Sequence, residues 1–200
     1  MVATGFDASR TAFRWSARPR AFNASNDCLE IGAGPETDLF ADPLGESLPV
    51  LNAPRLVGHV DGDLQLQARV RVAFAATYDA GALLVWVDET NWAKLCFEQV
   101  PDGRRMIVSV VTRGRSDDAN GFVVNEWDVW LRVSRLGSAF AFHASTNGAR
   151  WHLVRYFPLY PLTRVAYGFV AQSPTGRGCT ATFRNISLRR ERLAELRNGT

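Results

Sequence analysis

From about Leu64 onward the chain runs in short apolar segments dominated by Val, Phe, Trp and Leu, each closed by Gly, Pro, Asn or Asp. Segments of that length, rich in β-branched and aromatic residues and bounded by turn formers, predict strands. They fall over Leu64–Phe74, Ala82–Asp88, Trp92–Gln99, Arg105–Thr112, Val129–Ser134, Ala139–Ser145, His152–Phe157, Arg164–Ala171 and Thr180–Leu188. So many strands with so little helical periodicity call for two stacked antiparallel sheets. Asn147-Gly148 reads as a type I′ hairpin, in which both central residues take positive φ, and Asp102-Gly103 and Leu136-Gly137 mark further reversals. Gly32–Pro54, rich in Gly, Pro and Asp, reads as long loops with short strands near Cys28–Ile31 and Asp38–Phe40. Residues 191–200 offer only Leu193 and Leu196 as apolar anchors, so a mobile tail is expected after a single domain over 1–190.

Alternate side chains of a strand point to opposite faces, so each segment divides into two sets. One set is uniformly apolar and predicts the inter-sheet core: Leu95, Phe97, Val108, Val110, Val129, Leu131, Val133, Phe140, Phe142, Tyr167 and Phe169. The other joins aromatic to polar side chains: Trp86, Trp92, Lys94, Glu98, Ser109, Trp130, Arg132, His143 and Gln172. Flat apolar rings beside directional hydrogen-bonding groups suit sugars and other small polar ligands. The same residues also fit a plainer arrangement, tryptophans covering an outer sheet face and Lys94, Glu98 and Arg132 in cross-strand ion pairs.

Length and composition narrow the classes. Two hundred residues, 46% of them hydrophobic, suffice for one sandwich domain with a sizeable core. The net charge of +3 is spread over scattered arginines, which argues against nucleic-acid binding. Lys94 is the one lysine among 23 basic residues, and a compact ammonium is not interchangeable with a guanidinium. No segment has the length of a membrane span, and the first residues lack the pattern of a secretory signal. Cys28, Cys96 and Cys179 are odd in number and widely spaced, which suits reduced thiols. These features together place the protein in the cytoplasm as an expectation.

Recognisable chemistry is sparse. Two carboxylates on one strand face would be needed to hydrolyse a glycosidic bond, and Trp92–Glu98 supplies only Glu98. His59, His143 and His152 share no metal-ligand spacing, and no metal or other cofactor is expected. Gly32-Ala33-Gly34 lacks the rest of a dinucleotide fingerprint. Asp117-Asp118-Ala119-Asn120-Gly121 lacks calcium-loop spacing and reads as an acidic turn.

The segment from Tyr78 through Trp86-Val87-Asp88-Glu89-Thr90-Asn91-Trp92-Ala93-Lys94 resembles the DUF1349 family, as do Trp130-Leu131-Arg132, Ser145–Trp151 and Gly168–Gly176 followed by Phe183. The resemblance implies a concanavalin A-like jelly roll whose concave sheet is the binding surface, with Lys94, Glu98, Trp130, Arg132 and Gln172 at the family's polar positions. It implies no particular ligand; one fungal member is named as a regulator of enolase. The resulting expectation is a non-catalytic domain binding a carbohydrate or other small polar ligand. The alternatives are a regulatory domain docking a metabolic enzyme and, third, a glycan-acting enzyme using Glu98. Oligomeric state is open.

Overall fold

The computed structural model describes residues 13–25, 28–160 and 164–200. These form sixteen strands and no α-helix. The first sheet runs, in spatial order, β1 (Arg14–Ala17), β6 (Arg55–His59), β15 (Ala166–Gln172), β8 (Ala80–Asp88), β9 (Asn91–Gln99), β10 (Arg105–Arg113) and β11 (Arg115–Val123). The second runs β14 (His152–Pro158), β13 (Ala139–Ser145), β12 (Asp128–Leu136), β7 (Leu64–Val72), β16 (Cys179–Arg189), β3 (Cys28–Ala33) and β2 (Ala21–Ser25). Neighbours in both sheets pair antiparallel. A two-stranded ribbon, β4 (Leu39–Phe40) with β5 (Val50–Leu51), completes the fold.

The sheets pack face to face around one apolar core. Leu83, Leu95, Phe97, Ile107, Tyr167 and Phe169 enter it from the first sheet, and Leu66, Val70, Leu131, Val133, Phe140, Phe142 and Phe183 from the second. Phe169 of the first sheet meets Phe183 of the second at 5.1 Å, and Phe142 packs on Phe157 within the second sheet at 4.7 Å between ring centroids. A second apolar cluster lies on the outer face of the first sheet: Ala82, Leu84, Trp92, Cys96, Val108, Val110 and Val170 pack with Leu39 and Ala53. The central strands of this sheet are therefore apolar on both faces, and their alternation carries little phase information.

That ambiguity explains a difference from the sequence reading. Val108 and Val110 point outward, while Ile107 and Val111 point into the inter-sheet core. Ser109 pairs with the core residue Leu95 and lies on that inner side, 1% exposed. Strands β1, β2, β5, β6 and β11 were not foreseen. In particular, Asp117–Gly121 lies inside β11 rather than in a turn. As the last strand of its sheet, β11 keeps most residues in solvent, and an edge strand tolerates so polar a sequence. The expected type I′ turn is also absent: Gly148 has φ 73° but Asn147 does not take positive φ. The Asn147 side chain instead accepts hydrogen bonds from the Ala149 and Arg150 amides.

Candidate functional site

Strand register assembles the site. On the outer face of the first sheet, Gln172, Ala80 and Glu98 form one row across β15, β8 and β9, and Leu84, Lys94, Val110 and Asp118 form another across β8 to β11. Ala80 and Ala82, with short side chains, lie between the longer polar residues. The ribbon covers part of this face, bringing Asp38 and Phe40 over the sheet. The outcome is a cleft of about 300 Å³ lined by Asp38, Phe40, Tyr78, Lys94, Glu98, Val110, Asp118 and Gln172.

Lys94 is 2% exposed. Its Nζ donates to Gln172 Oε1 at 2.7 Å and to Asp38 Oδ1 at 3.4 Å, so two of three ammonium hydrogens have partners. Burial by itself lowers the Lys94 pKa, but the Asp38 carboxylate, with Cys96 and Glu98 behind it, outweighs that and holds the ammonium above its ordinary value. Gln172 also donates through Nε2 to the Tyr78 carbonyl at 3.4 Å. An arginine in place of Lys94 would have to fit a planar fork into this space.

Glu98 stands four residues along the same strand and is 8% exposed. Among the described residues no hydrogen-bond donor reaches its carboxyl. Burial pushes its pKa up to about 8; Lys94 opposes the shift, and Asp118 and Asp38 add to it. Asp118, on the exposed edge strand at the mouth, is raised as well, first by loss of water around its carboxyl and then by Asp38, against the pull of Lys94 and the Ala119 amide. The cleft thus holds one ammonium already engaged by a carboxylate, and a second carboxyl without a partner.

The rim is stapled in place. Asp79 is fully buried and accepts from the Ala75 and Ala76 amides at 2.8 and 2.9 Å and from the Ser173 hydroxyl at 2.6 Å. This fixes the loop carrying Tyr78, which has φ 67° and is 40% exposed. A tyrosine at positive φ is a strained arrangement that surrounding contacts must hold. On the opposite side Thr37 and Ser173 exchange backbone hydrogen bonds, and the Asp38 amide donates to Asn52 Oδ1. The ribbon is tied to β11 through Ala41 and Ser116, whose backbone and hydroxyl bonds are 2.8 and 2.9 Å.

The nine residues expected to share one binding face separate into several environments. Lys94, Glu98 and Gln172 line the cleft. Trp86 and Trp92 occupy the same outer face away from the cleft lining, where Arg55 stacks over Trp86 at 4.6 Å and Trp92 is fully buried under the ribbon. Ser109 points between the sheets, its Oγ without a hydrogen-bond partner. Trp130, Arg132 and His143 belong to the second sheet, on the face opposite to Leu131, Val133 and Phe142. Their assignment to a single surface is corrected by the strand order: β12 and β13 are not in the sheet that carries Lys94.

On that second outer face the C-terminal residues lie across the sheet, in contrast to the mobile tail expected. His143 Nε2 bonds the Leu196 carbonyl at 2.7 Å, Arg132 donates to Gln67 at 3.1 Å and to the Gly199 carbonyl, and the Arg132 guanidinium stacks 3.7 Å from the Trp151 ring. Leu193 is 2% exposed. Burial lowers the Arg132 pKa to about 10, with Arg189 adding to the effect, and burial likewise lowers that of His143. These residues hold the tail.

Asp38, Phe40, Tyr78, Val110 and Asp118 are cleft residues that sequence reasoning did not select. Val110 was hidden by the two-faced burial of β10, and Asp118 by its apparent turn. Asp38 and Tyr78 stand on loops and Phe40 in the two-residue strand β4, whose positions no periodicity reports. A second depression, of about 400 Å³, lies near the opposite edge of the first sheet and is lined by Arg14, Trp15, Ser16, Val57, His59 and Arg164. Among the described residues no group of three or more His, Cys, Asp or Glu is arranged to hold a metal ion.

Two seven-stranded antiparallel sheets stacked around one core, with a polar cleft on one outer face, define a concanavalin A-like jelly-roll domain. Residues 15–191 match the family described as "Protein of unknown function (DUF1349)", and the chain belongs to that family. It is 32% identical over 123 residues to "Regulation of enolase protein 1" of Saccharomyces cerevisiae, a match covering 61% of this chain and 62% of that protein, short of two thirds of the relative's length. A functionally unknown protein from Saccharomyces cerevisiae of known crystal structure superposes with a TM-score of 0.82 at 25% identity, over 88% of this chain and 95% of the other. The GH43 protein BlXynB from Bacillus licheniformis gives a TM-score of 0.66 at 14% identity, with 88% and 36% of the two chains covered. Carbohydrate binding module CBM66 from Bacillus subtilis gives 0.55 at 12% identity, covering 88% and 94%. At such low identity these last two likenesses concern the fold.

Proposed function

We propose that this chain is a non-catalytic binding domain for a carbohydrate or other small polar ligand, seated in the cleft on the outer face of the first sheet and acting in the cytoplasm. The observation that carries this reading is Glu98, a carboxyl 8% exposed that faces a 300 Å³ cleft with no donor of its own. Its oxygens open onto the cleft and are not sealed from solvent, so a ligand hydroxyl can hydrogen-bond them in place of water. Lys94, Gln172 and Asp38 supply directional groups beside it, and Tyr78 and Phe40 supply ring surface. Asp38 is engaged by Lys94 and by the Leu39 amide at 2.7 Å, which favours binding over two-carboxylate hydrolysis. The free cysteines Cys28, Cys96 and Cys179 suit a reducing compartment.

A regulatory domain acting on a metabolic enzyme is the second reading, supported by the name of the yeast relative. Leu44 and Leu48, 72% and 87% exposed beside the ribbon, would then serve as contacts. Thermal unfolding against glucose, xylose, arabinose, fructose, glycerol and small xylo-oligosaccharides separates the two. A ligand at 100 times its Kd adds about 2.7 kcal/mol to stability, and under the cleft reading that shift disappears in Lys94→Met and Gln172→Ala. A shift retained in both variants removes the ligand from the cleft. Hydrolysis of an oligosaccharide that is abolished in Glu98→Gln would replace binding by catalysis.

A further inference from the structure

Each group facing Glu98 constrains what the cleft can accept. From β9 itself come the Lys94 ammonium and the Cys96 thiol, from the ribbon side Asp38 and Phe40, from β10 Val110, from β11 Asp118, from β15 Gln172 and from the strained loop Tyr78. Lys94 is the cationic residue of the lining, and its charge is already met by Asp38. A phosphate or carboxylate entering here would meet the Asp38, Asp118 and Glu98 carboxyls with no uncommitted cation. A ligand cation would find Asp38 already paired with Lys94 and Glu98 holding its proton, which leaves Asp118 at the mouth as its counter-charge. Hydroxyl groups, which both donate and accept, match a lining that offers donors from Lys94 and acceptors from Asp118 and Gln172.

We propose that the cleft takes a neutral, non-phosphorylated polyhydroxylated ligand, and that Glu98 holds it as a carboxylic acid, donating through its O–H and accepting through its carbonyl oxygen. This rests on the cleft being the ligand site. The direction of the Glu98 shift agrees: burial keeps the carboxyl neutral up to about pH 8. The ligand stabilises that neutral form further, so binding takes up a proton wherever free Glu98 is ionised, and affinity falls as pH rises through the Glu98 transition. Lys94 and Cys96 are held above their ordinary values of 10.5 and 9.0, so neither provides that transition at lower pH. The basic depression formed by Arg14, His59 and Arg164 is a separate place where an anion could settle, and the assay has to remove it.

The test is calorimetric titration of the full chain carrying Arg164→Ala at pH 7 and pH 9.5. Glucose, xylose, arabinose and fructose are compared with glucose 6-phosphate and glucosamine. The expected result is that neutral sugars bind and glucose 6-phosphate does not, with affinity weakened on the order of thirtyfold at the higher pH. In Glu98→Gln, which keeps the shape of the neutral acid, binding persists at pH 7 and loses its pH dependence. Tighter binding of glucose 6-phosphate or glucosamine, or equal affinity at both pH values in the wild-type cleft, overturns the proposal while leaving the cleft as a ligand site. Absence of binding by every probe overturns both.

Discussion

A carboxyl removed from water beside an ammonium can end up charged or neutral, and at Glu98 the loss of water prevails over Lys94. The consequence for stability has a definite sign. In the unfolded chain the carboxyl ionises near its ordinary 4.5, whereas in the fold it keeps its proton to about 8. Between those values the native state binds a proton that the unfolded state has released, so this group's contribution to stability declines as pH rises from about 4.5 and levels off above about 8. Glu98→Gln is expected to match the wild type at pH 5 and to exceed it by on the order of 3 kcal/mol at pH 9 in urea unfolding. A variant weaker than wild type at pH 9 would show that the carboxylate has a partner in the fold. Lys94 illustrates the limit of residue-level reading. Its isolation among arginines and its place on the Glu98 face were visible in the sequence, but the Asp38 carboxylate that balances it arrives from 56 positions away.

At the scale of elements, the second sheet and the last ten residues form a unit that alternation could not anticipate. Trp130, Arg132 and His143 do stand on a polar strand face, as their spacing implied. What occupies that face is the chain's own C-terminal segment, through the Leu196 and Gly199 carbonyls. Deletion of residues 191–200 leaves the His143 ring and the Arg132 guanidinium without these acceptors, removes the buried Leu193 and uncovers Trp151. The expected cost is about 2–4 kcal/mol in chemical denaturation, from the lost hydrogen bonds and apolar burial. Ligand binding at the cleft, on the other sheet, should be unchanged in the truncated protein; unaltered stability would instead mean that the segment is loosely held in solution. The same scale explains β11: seven antiparallel pairings with β10 order a sequence that its composition assigns to a turn.

Across the whole molecule, connectivity determines how these faces meet. β1 and β2 follow each other in sequence yet enter different sheets, as do β15 and β16, and β3 pairs with β16 through Leu29 and Phe183. Each such pairing closes a long loop before its contacts stabilise anything, which slows folding. Refolding is expected on the millisecond-to-second scale or slower in stopped-flow fluorescence, with the buried Trp92 and Trp151 as reporters. Recovery of native fluorescence in microseconds would contradict this topology.

Alternation along each strand was sufficient, from sequence alone, to identify an all-β sandwich, most of its inter-sheet core, and the joint placement of Lys94 and Glu98. Those are properties of one strand or of a strand with its turn, because a period of two is written locally. The tertiary structure decided that β12 and β13 lie in the other sheet, that Val110 faces outward while Ser109 faces in, and that Asp38, Phe40, Tyr78 and Asp118 close around Glu98. Sheet order and loop placement depend on contacts between distant residues, and on strands buried on both faces the local pattern has no phase to give.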